Sequence, residues 1–395
     1  MRRSVELLEI QAGRSVLALL PRLTAALDGG PALLAVPSAK ASAASGVRAQ
    51  EGVPSTLDAV DDDPDDPTAI VMPTSGSTGE AKLALLPVSA LRASADATER
   101  RLGGPGGWLL TLPVWHIAGL QVLLRAAAAS MPVTAMDAGS PFTATGFIDA
   151  AEDLAADRRY VSLVPTQLHR ILDDAAAAAV LAGFHRVLVG GAATSPSLLA
   201  RAGAAGIPVL TTYGMSETCG GCVYDGHPLD GMAVNIDVDR TQDEAAGRIA
   251  LTGPMIARGY LGLPGHPAFP TPGTFVTDDL GRLDGGTLTV LGRADDVIVT
   301  GGLKVPPTAV ERALSTVPGI GEVLVVGVPD PEWGQQLVAL VTGAVPADEQ
   351  AQMVLAGLPR HYRPRRWLRL VRLPLRGPGK PDRKAATESA IEQLR

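Results

Sequence analysis

Residues 74–82 read Thr74-Ser75-Gly76-Ser77-Thr78-Gly79-Glu80-Ala81-Lys82 and follow the apolar run Ala69-Ile70-Val71-Met72. Glycines let a backbone approach a ligand closely, and successive N–H groups and hydroxyls can surround an anionic oxygen cluster. A lysine at the end of such a loop adds a cation. The chemistry this spacing suits is the grip of a nucleoside triphosphate. It is not the Gly-x-x-x-x-Gly-Lys-Ser/Thr pattern, because Lys82 lies beyond Gly79 with no Ser or Thr after it. Taken alone, the segment also fits a Ser/Gly-rich surface turn.

Four other segments carry chemistry. Tyr213-Gly214-Met215-Ser216-Glu217-Thr218 sets a carboxylate among hydroxyls, a donor set that suits Mg²⁺, beside an aromatic ring that could cover a flat base. An ordinary strand-end loop has the same composition. Thr277-Asp278-Asp279-Leu280-Gly281, with Gly292-Arg293-Ala294-Asp295-Asp296, offers a carboxylate for the two hydroxyls of a ribose and a guanidinium fork nearby. Acidic turn chemistry is the plainer account. Gly301-Gly302-Leu303-Lys304 is a turn that opens a helix. Gly377-Pro378-Gly379-Lys380 reads as a flexible glycine loop whose lysine could deliver charge to a developing oxyanion, or lie solvated. The Cys219-Gly220-Gly221-Cys222 spacing permits a redox pair or half a zinc site. No second Cys/His pair accompanies it and His227 is isolated, so two small residues in a glycine-rich loop are expected.

These segments need a scaffold, and the pattern of apolar runs supplies one. Buried strands are expected at 32–36, 69–72, 108–112, 160–164, 186–189 and 208–212. Helices are expected at 88–102, at 119–129 and from Pro165 onward. Strand–helix alternation implies an α/β sheet with sites at the carboxyl ends of its strands, where Thr74, Gly190 and Tyr213 fall. Residues 41–68 read as a solvated linker that ends in the acidic run 61–66. From about residue 232 short strands and turns dominate. From Asp295 a smaller α+β unit is expected, with helices at 307–317 and 347–358 and strands at 323–328 and 337–342. The expected division is 1–294 and 295–395, the second part small and mobile.

The 395 residues suffice for two or three cores, and 46% hydrophobic with 19% charged residues is a globular composition. A net charge of −7 argues against a nucleic-acid binder driven by phosphate contacts. No apolar run is long enough to span a bilayer, and Glu6 and Glu9 interrupt any signal-peptide core. A cytoplasmic protein is expected, and a homodimer is compatible with the sequence without being required by it.

From about residue 68 onward, the order and spacing of these segments resemble the adenylate-forming superfamily of acyl- and aryl-CoA ligases. The resemblance implies ATP, Mg²⁺ and coenzyme A. By the matching positions, Thr74, Ser75, Gly76, Ser77, Thr78, Gly79 and Lys82 would form the phosphate loop. Gly191, Ala192, Tyr213 and Gly214 would border adenine, and Asp279 and Arg293 would hold the ribose. Glu217 with Thr78 would hold the metal, Asp295 would be the hinge, and Lys380 would be the adenylation lysine. Ser216, Glu217 and Lys380 are the implied catalytic residues.

Leu112-Pro113-Val114-Trp115-His116-Ile117-Ala118-Gly119-Leu120 and Ser162-Leu163-Val164-Pro165-Thr166-Gln167-Leu168 are similar to segments of the o-succinylbenzoate–CoA ligases of menaquinone synthesis. The short N-terminal portion is similar to the compact actinobacterial form. That likeness implies 2-succinylbenzoate as the acid and His116, Arg125, Ser162 and Gly190 as its pocket. Asp278, Ala118, Leu303 and Ala309 depart from the family pattern. Another aryl- or acyl-CoA ligase, or a non-catalytic nucleotide- or acyl-binding homologue, remains open from the sequence.

Overall fold

Runs such as Ala32-Leu33-Leu34-Ala35 and Ala69-Ile70-Val71-Met72 are apolar without alternation, the mark of strands buried on both faces. The computed structural model describes residues 2–10, 14–38, 59–74, 82–136, 142–237, 246–376 and 380–394, and it places these runs in the interior of sheets. Two compact units result. The first comprises 1–193, 201–235 and 250–277, and the second 194–200, 236–249 and 278–395.

The first unit contains two sheets. One has the order Gly259–Tyr260, Leu83–Pro87, Thr68–Pro73, Ala32–Pro37, Arg2–Ile10, Ala59–Asp61. Arg2–Ile10, Ala32–Pro37 and Thr68–Pro73 run parallel, and the flanking strands are antiparallel. Leu34, Val71, Leu83 and Leu85 pack together on it. The second sheet holds Val133–Ala135, Gly107–Leu110, Arg159–Leu163, Arg186–Val189 and Val209–Met215 in parallel pairs. Gly220–Tyr224 and His227–Pro228 then return antiparallel. Helices Val88–Leu102, Ile117–Ala128, Pro165–Leu172 and Pro196–Ala204 fall between the strands in sequence, so the alternation is that of an α/β protein.

In the second unit, strands Ile320–Asp330, Gly334–Gly343 and Arg366–Arg369 form a sheet with a core on each face. Side-chain alternation divides the residues. Val325, Leu337 and Ala339 pack with Val310 and Leu314 of helix Pro307–Leu314. Leu324, Val326, Val338 and Leu340 pack with Ala386 and Ala390, one helical turn apart on Arg383–Leu394.

Several expectations need correction. Cys-Gly-Gly-Cys is not a loop, since Gly220–Tyr224 is a strand and both cysteines are buried. The acidic run is not wholly solvated. Ala59–Asp61 is a strand, and the Asp62 side chain is 3% exposed, bound by Arg258 and by the Thr68 backbone and hydroxyl. The strand Leu83–Pro87 was not anticipated, although five apolar residues between a loop and a helix are a legible signal. Helix 307–317 stops at Leu314, where Ser315 and Thr316 turn their hydroxyls onto the carbonyls of Arg312 and Ala313. Among the described residues, no helix is long and apolar enough to cross a membrane.

Candidate functional site

In the first unit the loop 74–82 connects two antiparallel strands, Thr68–Pro73 and Leu83–Pro87, and its ends are tied by the Thr74 N–H donating to the Lys82 carbonyl at 2.8 Å. Thr74 is buried. Residues 75–81, and with them Ser75, Gly76, Ser77, Thr78 and Gly79, lie outside the described residues. Lys82 Nζ is 3.2 Å from His266 Nε2 and 5.1 Å from the centre of the Tyr260 ring.

Tyr260 links this end of the loop to Glu217. Its hydroxyl donates to Glu217 Oε1 at 2.7 Å, a charge-assisted bond. The Ala257 N–H donates to the Glu217 carbonyl at 2.8 Å. Glu217 is 7% exposed and sits in the single turn Ser216–Thr218 that ends strand Val209–Met215. Thr218 braces that turn. Its hydroxyl accepts from Met215 N–H at 2.9 Å and donates to the Gly220 carbonyl at 2.7 Å. Among the described residues no group of three or more His, Cys, Asp or Glu side chains could hold a metal by itself. One fixed carboxylate fits Mg²⁺ all the same, because this ion takes one or two protein carboxylates and completes its shell with phosphates and water.

Gly190 and Gly191 follow strand Arg186–Val189. A Cβ at Gly190 would overlap the Thr212 hydroxyl, and Gly191 has φ +80°. Both positions therefore need glycine. Ala192 follows them, and Tyr213 lies beside them on the neighbouring strand, paired with Val223.

His116 immediately precedes helix Ile117–Ala128, and Ser162 lies near the carboxyl end of strand Arg159–Leu163. Thr111 joins the two segments. Its hydroxyl donates to the Ser162 carbonyl at 2.7 Å, and its carbonyl accepts from Gln167 Nε2 at 3.0 Å. Gln167 Oε1 also accepts from the Val164 N–H at 3.0 Å.

Arg125 does not join this group. It occupies the last turn of the helix that His116 begins, nine residues on, or ~13 Å along the axis at 1.5 Å per residue. Its guanidinium lies 5.4 Å from the Trp108 ring, and with Glu99, Gly104, Gly106 and Tyr160 it lines a small cavity at the amino ends of strands Gly107–Leu110 and Arg159–Leu163. His116 and Ser162 are at the other end of these strands. The helix runs antiparallel to its strand, so one end faces the site and the other faces away. The structure does not bring Arg125 together with His116 and Ser162.

In the second unit Asp279 and Arg293 are directly opposite in the hairpin Thr274–Asp284/Thr287–Arg293. Arg293 makes two bonds to Asp295, at 2.8 and 3.0 Å, and lies 3.6 Å from both Asp278 and Asp279. Burial opposes its charge, but the bonds and charge of Asp295, then Asp279 and Asp278, raise its pKa further above the usual range. Arg248 also pairs with Asp278 at 2.9 Å, so the extra carboxylate of this chain has a cation of its own. Lys380 is on the return strand of a short hairpin, its backbone paired with Arg376, and 377–379 lie outside the described residues. Gly301 and Gly302, at φ +56° and +78°, turn between Ile298–Thr300 and Leu303–Val305.

Tyr260, His266 and Thr111 were missed from the sequence. Each acts through a partner far along the chain, and the only local hint was Tyr260 in a chain with five tyrosines.

The family model for AMP-binding enzymes matches residues 8–261, and that for the AMP-binding enzyme C-terminal domain matches 309–380. A probable 2-succinylbenzoate–CoA ligase of Mycobacterium tuberculosis is 43% identical over 387 residues, covering 96% of each chain. The o-succinylbenzoate CoA synthetase of Bacillus subtilis, in complex with its acyl-adenylate intermediate, superposes with a TM-score of 0.71 at 25% identity over 93% of this chain and 80% of that one. The same enzyme with ATP and magnesium ion gives 0.70 at 25% identity, over 92% and 81%. With both parts of the family pattern matched in order, and a relative aligned almost end to end, the chain belongs to the AMP-binding enzyme family.

Proposed function

We propose that this protein is an ATP-dependent acid–thiol ligase that converts 2-succinylbenzoate to its CoA thioester, a step of menaquinone synthesis. The observation that carries this reading is the 43% identity, over 96% of both chains, to a probable 2-succinylbenzoate–CoA ligase. The geometry supports it with a closed phosphate-loop hairpin, a fixed buried carboxylate at Glu217, and the strand-end glycines Gly190 and Gly191.

In the first half-reaction a carboxylate oxygen attacks the α-phosphorus of ATP. The bond from that phosphorus to the bridging oxygen breaks, and pyrophosphate leaves. In the second, the CoA thiol gives up its proton, attacks the acyl carbonyl and displaces AMP. No covalent enzyme intermediate is needed, and catalysis is positioning and charge stabilisation. The loop 74–82 holds the β- and γ-phosphates. Glu217, with Thr78, holds Mg²⁺, which neutralises phosphate charge. Ser216 adds a hydroxyl beside it. Gly191, Ala192, Tyr213 and Gly214 border adenine, and Asp279 and Arg293 orient the ribose. His116, Ser162 and Gly190 border the acid, and Lys380 serves adenylation alone. Residues 1–294 and 295–395 act as two bodies that alternate about Asp295 between the half-reactions. ATP and CoA as co-substrates suit a cytoplasmic location.

The test is incubation with 2-succinylbenzoate, ATP, Mg²⁺ and CoA, reading pyrophosphate and thioester. The expected result is stoichiometric release of both. A panel of other aryl and acyl acids run in parallel identifies a different ligase if one of them exceeds 2-succinylbenzoate in kcat/KM.

A further inference from the structure

We propose that His266 is a positioning residue for MgATP, one that presets the lysine of the phosphate loop and the metal-facing carboxylate together. The proposal rests on the ligase reading above for the identity of the ligand. His266 meets both arms of the site. Its Nε2 is 3.2 Å from Lys82 Nζ. Its ring meets the Tyr260 ring edge-on, with centroids 4.9 Å apart at 86°. Phe269 meets the Tyr260 ring too, at 5.1 Å and 79°. The tyrosine so clamped donates to Glu217 at 2.7 Å and presents its ring to the Lys82 ammonium. A neutral imidazole has one acceptor nitrogen, and with Nε2 accepting from the Lys82 ammonium the ring proton sits on Nδ1.

The physical gain is preorganisation. A lysine carries about 2 kcal/mol of rotamer entropy, which a free side chain surrenders when it closes on a phosphate. Held beforehand by an imidazole acceptor and an aromatic face, Lys82 has already lost much of that freedom, and binding then costs less. His266 is separated from Lys82 by 184 residues, so only the fold brings them together. The effect belongs to the nucleotide and not to the acid, because His266 meets Lys82 and Tyr260, the partners of the phosphate loop and of Glu217.

The test compares His266→Ala and His266→Gln in the full chain. Glutamine keeps one acceptor oxygen for Lys82 and lacks the ring. Calorimetric MgATP binding without acid is measured beside KM for MgATP and for the acid, and beside Tm. The expected result for alanine is an increase of about tenfold in Kd and KM for MgATP, with the acid KM within about twofold. Its Tm stays within about 2 °C of the parent. Glutamine recovers most of the nucleotide affinity. Unchanged MgATP affinity in the alanine variant overturns the proposal, as does equal loss in both variants. A parallel rise of both KM values with a fallen Tm overturns it too. If the parent protein binds MgATP but turns over no acid, the ligase reading fails while the binding comparison still decides the role of His266. If the parent does not bind MgATP, both fall.

Discussion

The thiols of Cys219 and Cys222 sit in a protein that handles thioesters, yet nothing in their surroundings prepares them for chemistry. Burial pushes both up, Cys222 to about 12, and the neighbouring sulfur adds to the effect on Cys219. The native protein at pH 8 should therefore leave Ellman's reagent unreacted, and denaturation should release two equivalents. Because the folded state favours the neutral thiols, their contribution to stability is full below the unfolded cysteine pKa of about 8.5 and is lost as pH rises above it. A urea midpoint that falls between pH 8 and pH 10 checks the sign, with Cys219→Ala/Cys222→Ala as the control that flattens the slope. Arg125 gives a second expectation at this scale. Arg125→Leu should leave the acid KM within about twofold and cost about 1 kcal/mol of stability through the lost contact with Trp108. A large rise in that KM would return Arg125 to the acid pocket. The candidate segments at 74–82, 217, 279 and 293 stand out in the sequence because unusual residue types cluster locally. That Arg125 and His116 occupy opposite ends of one helix was not legible, because sequence distance does not say which end of a helix faces a site. His266 was invisible because its meaning depends on Lys82 and Tyr260, which only the fold supplies.

Among the elements, the small sheet of the second unit is bolted by one guanidinium. Arg383 opens helix Arg383–Leu394 and bonds Asp296 at 3.0 Å, both oxygens of Glu311 at 2.7 and 3.0 Å, and the Val325 carbonyl at 2.9 Å. Burial works against its charge, but Glu311 and then Asp296 outweigh it and raise its pKa. Removing one partner of a largely buried pair leaves charge uncompensated, so Arg383→Met should cost about 3 kcal/mol, reduced from the upper range because the side chain is 20% exposed. Urea denaturation measures it, and adding Glu311→Leu should restore part of the loss. The sequence segment around Arg383 reads as a flexible glycine loop, since glycine and proline dominate 377–381 and hide a helix start two residues later. The strands at 323–328 and 337–342 were legible as continuous apolar runs, which a sheet with a core on each face requires. The antiparallel return at Gly220–Tyr224 was not, because its glycines imitate a loop. They are there for another reason, since Gly220 takes a φ of +97° and a Cβ at Gly221 would press on the Tyr224 ring.

At the scale of the whole chain, the α/β class followed from strand–helix alternation, and the proposed division of labour between two bodies makes a sharp kinetic statement. Lys380→Ala should reduce adenylate formation by about two orders of magnitude or more, as removal of a charge-stabilising group does, while sparing thioester formation from preformed adenylate. Equal loss in both half-reactions would count against alternation. The ion pair between Asp62 and Arg258 reaches further. The six-stranded sheet of the first unit is built from residues 2–87, except for its edge strand Gly259–Tyr260, and Arg258 beside that strand is 196 residues from Asp62. A nascent chain that has exposed Asp62, Arg3 and five of the six strands must wait for roughly 170 more residues. At synthesis rates of roughly 5–20 residues per second this is on the order of 10–30 s. During that interval the edge at Leu83–Pro87 has no outer strand to pair with and the Asp62 carboxylate lacks Arg258, so the growing chain carries an open template for strand pairing until residues 258–260 emerge.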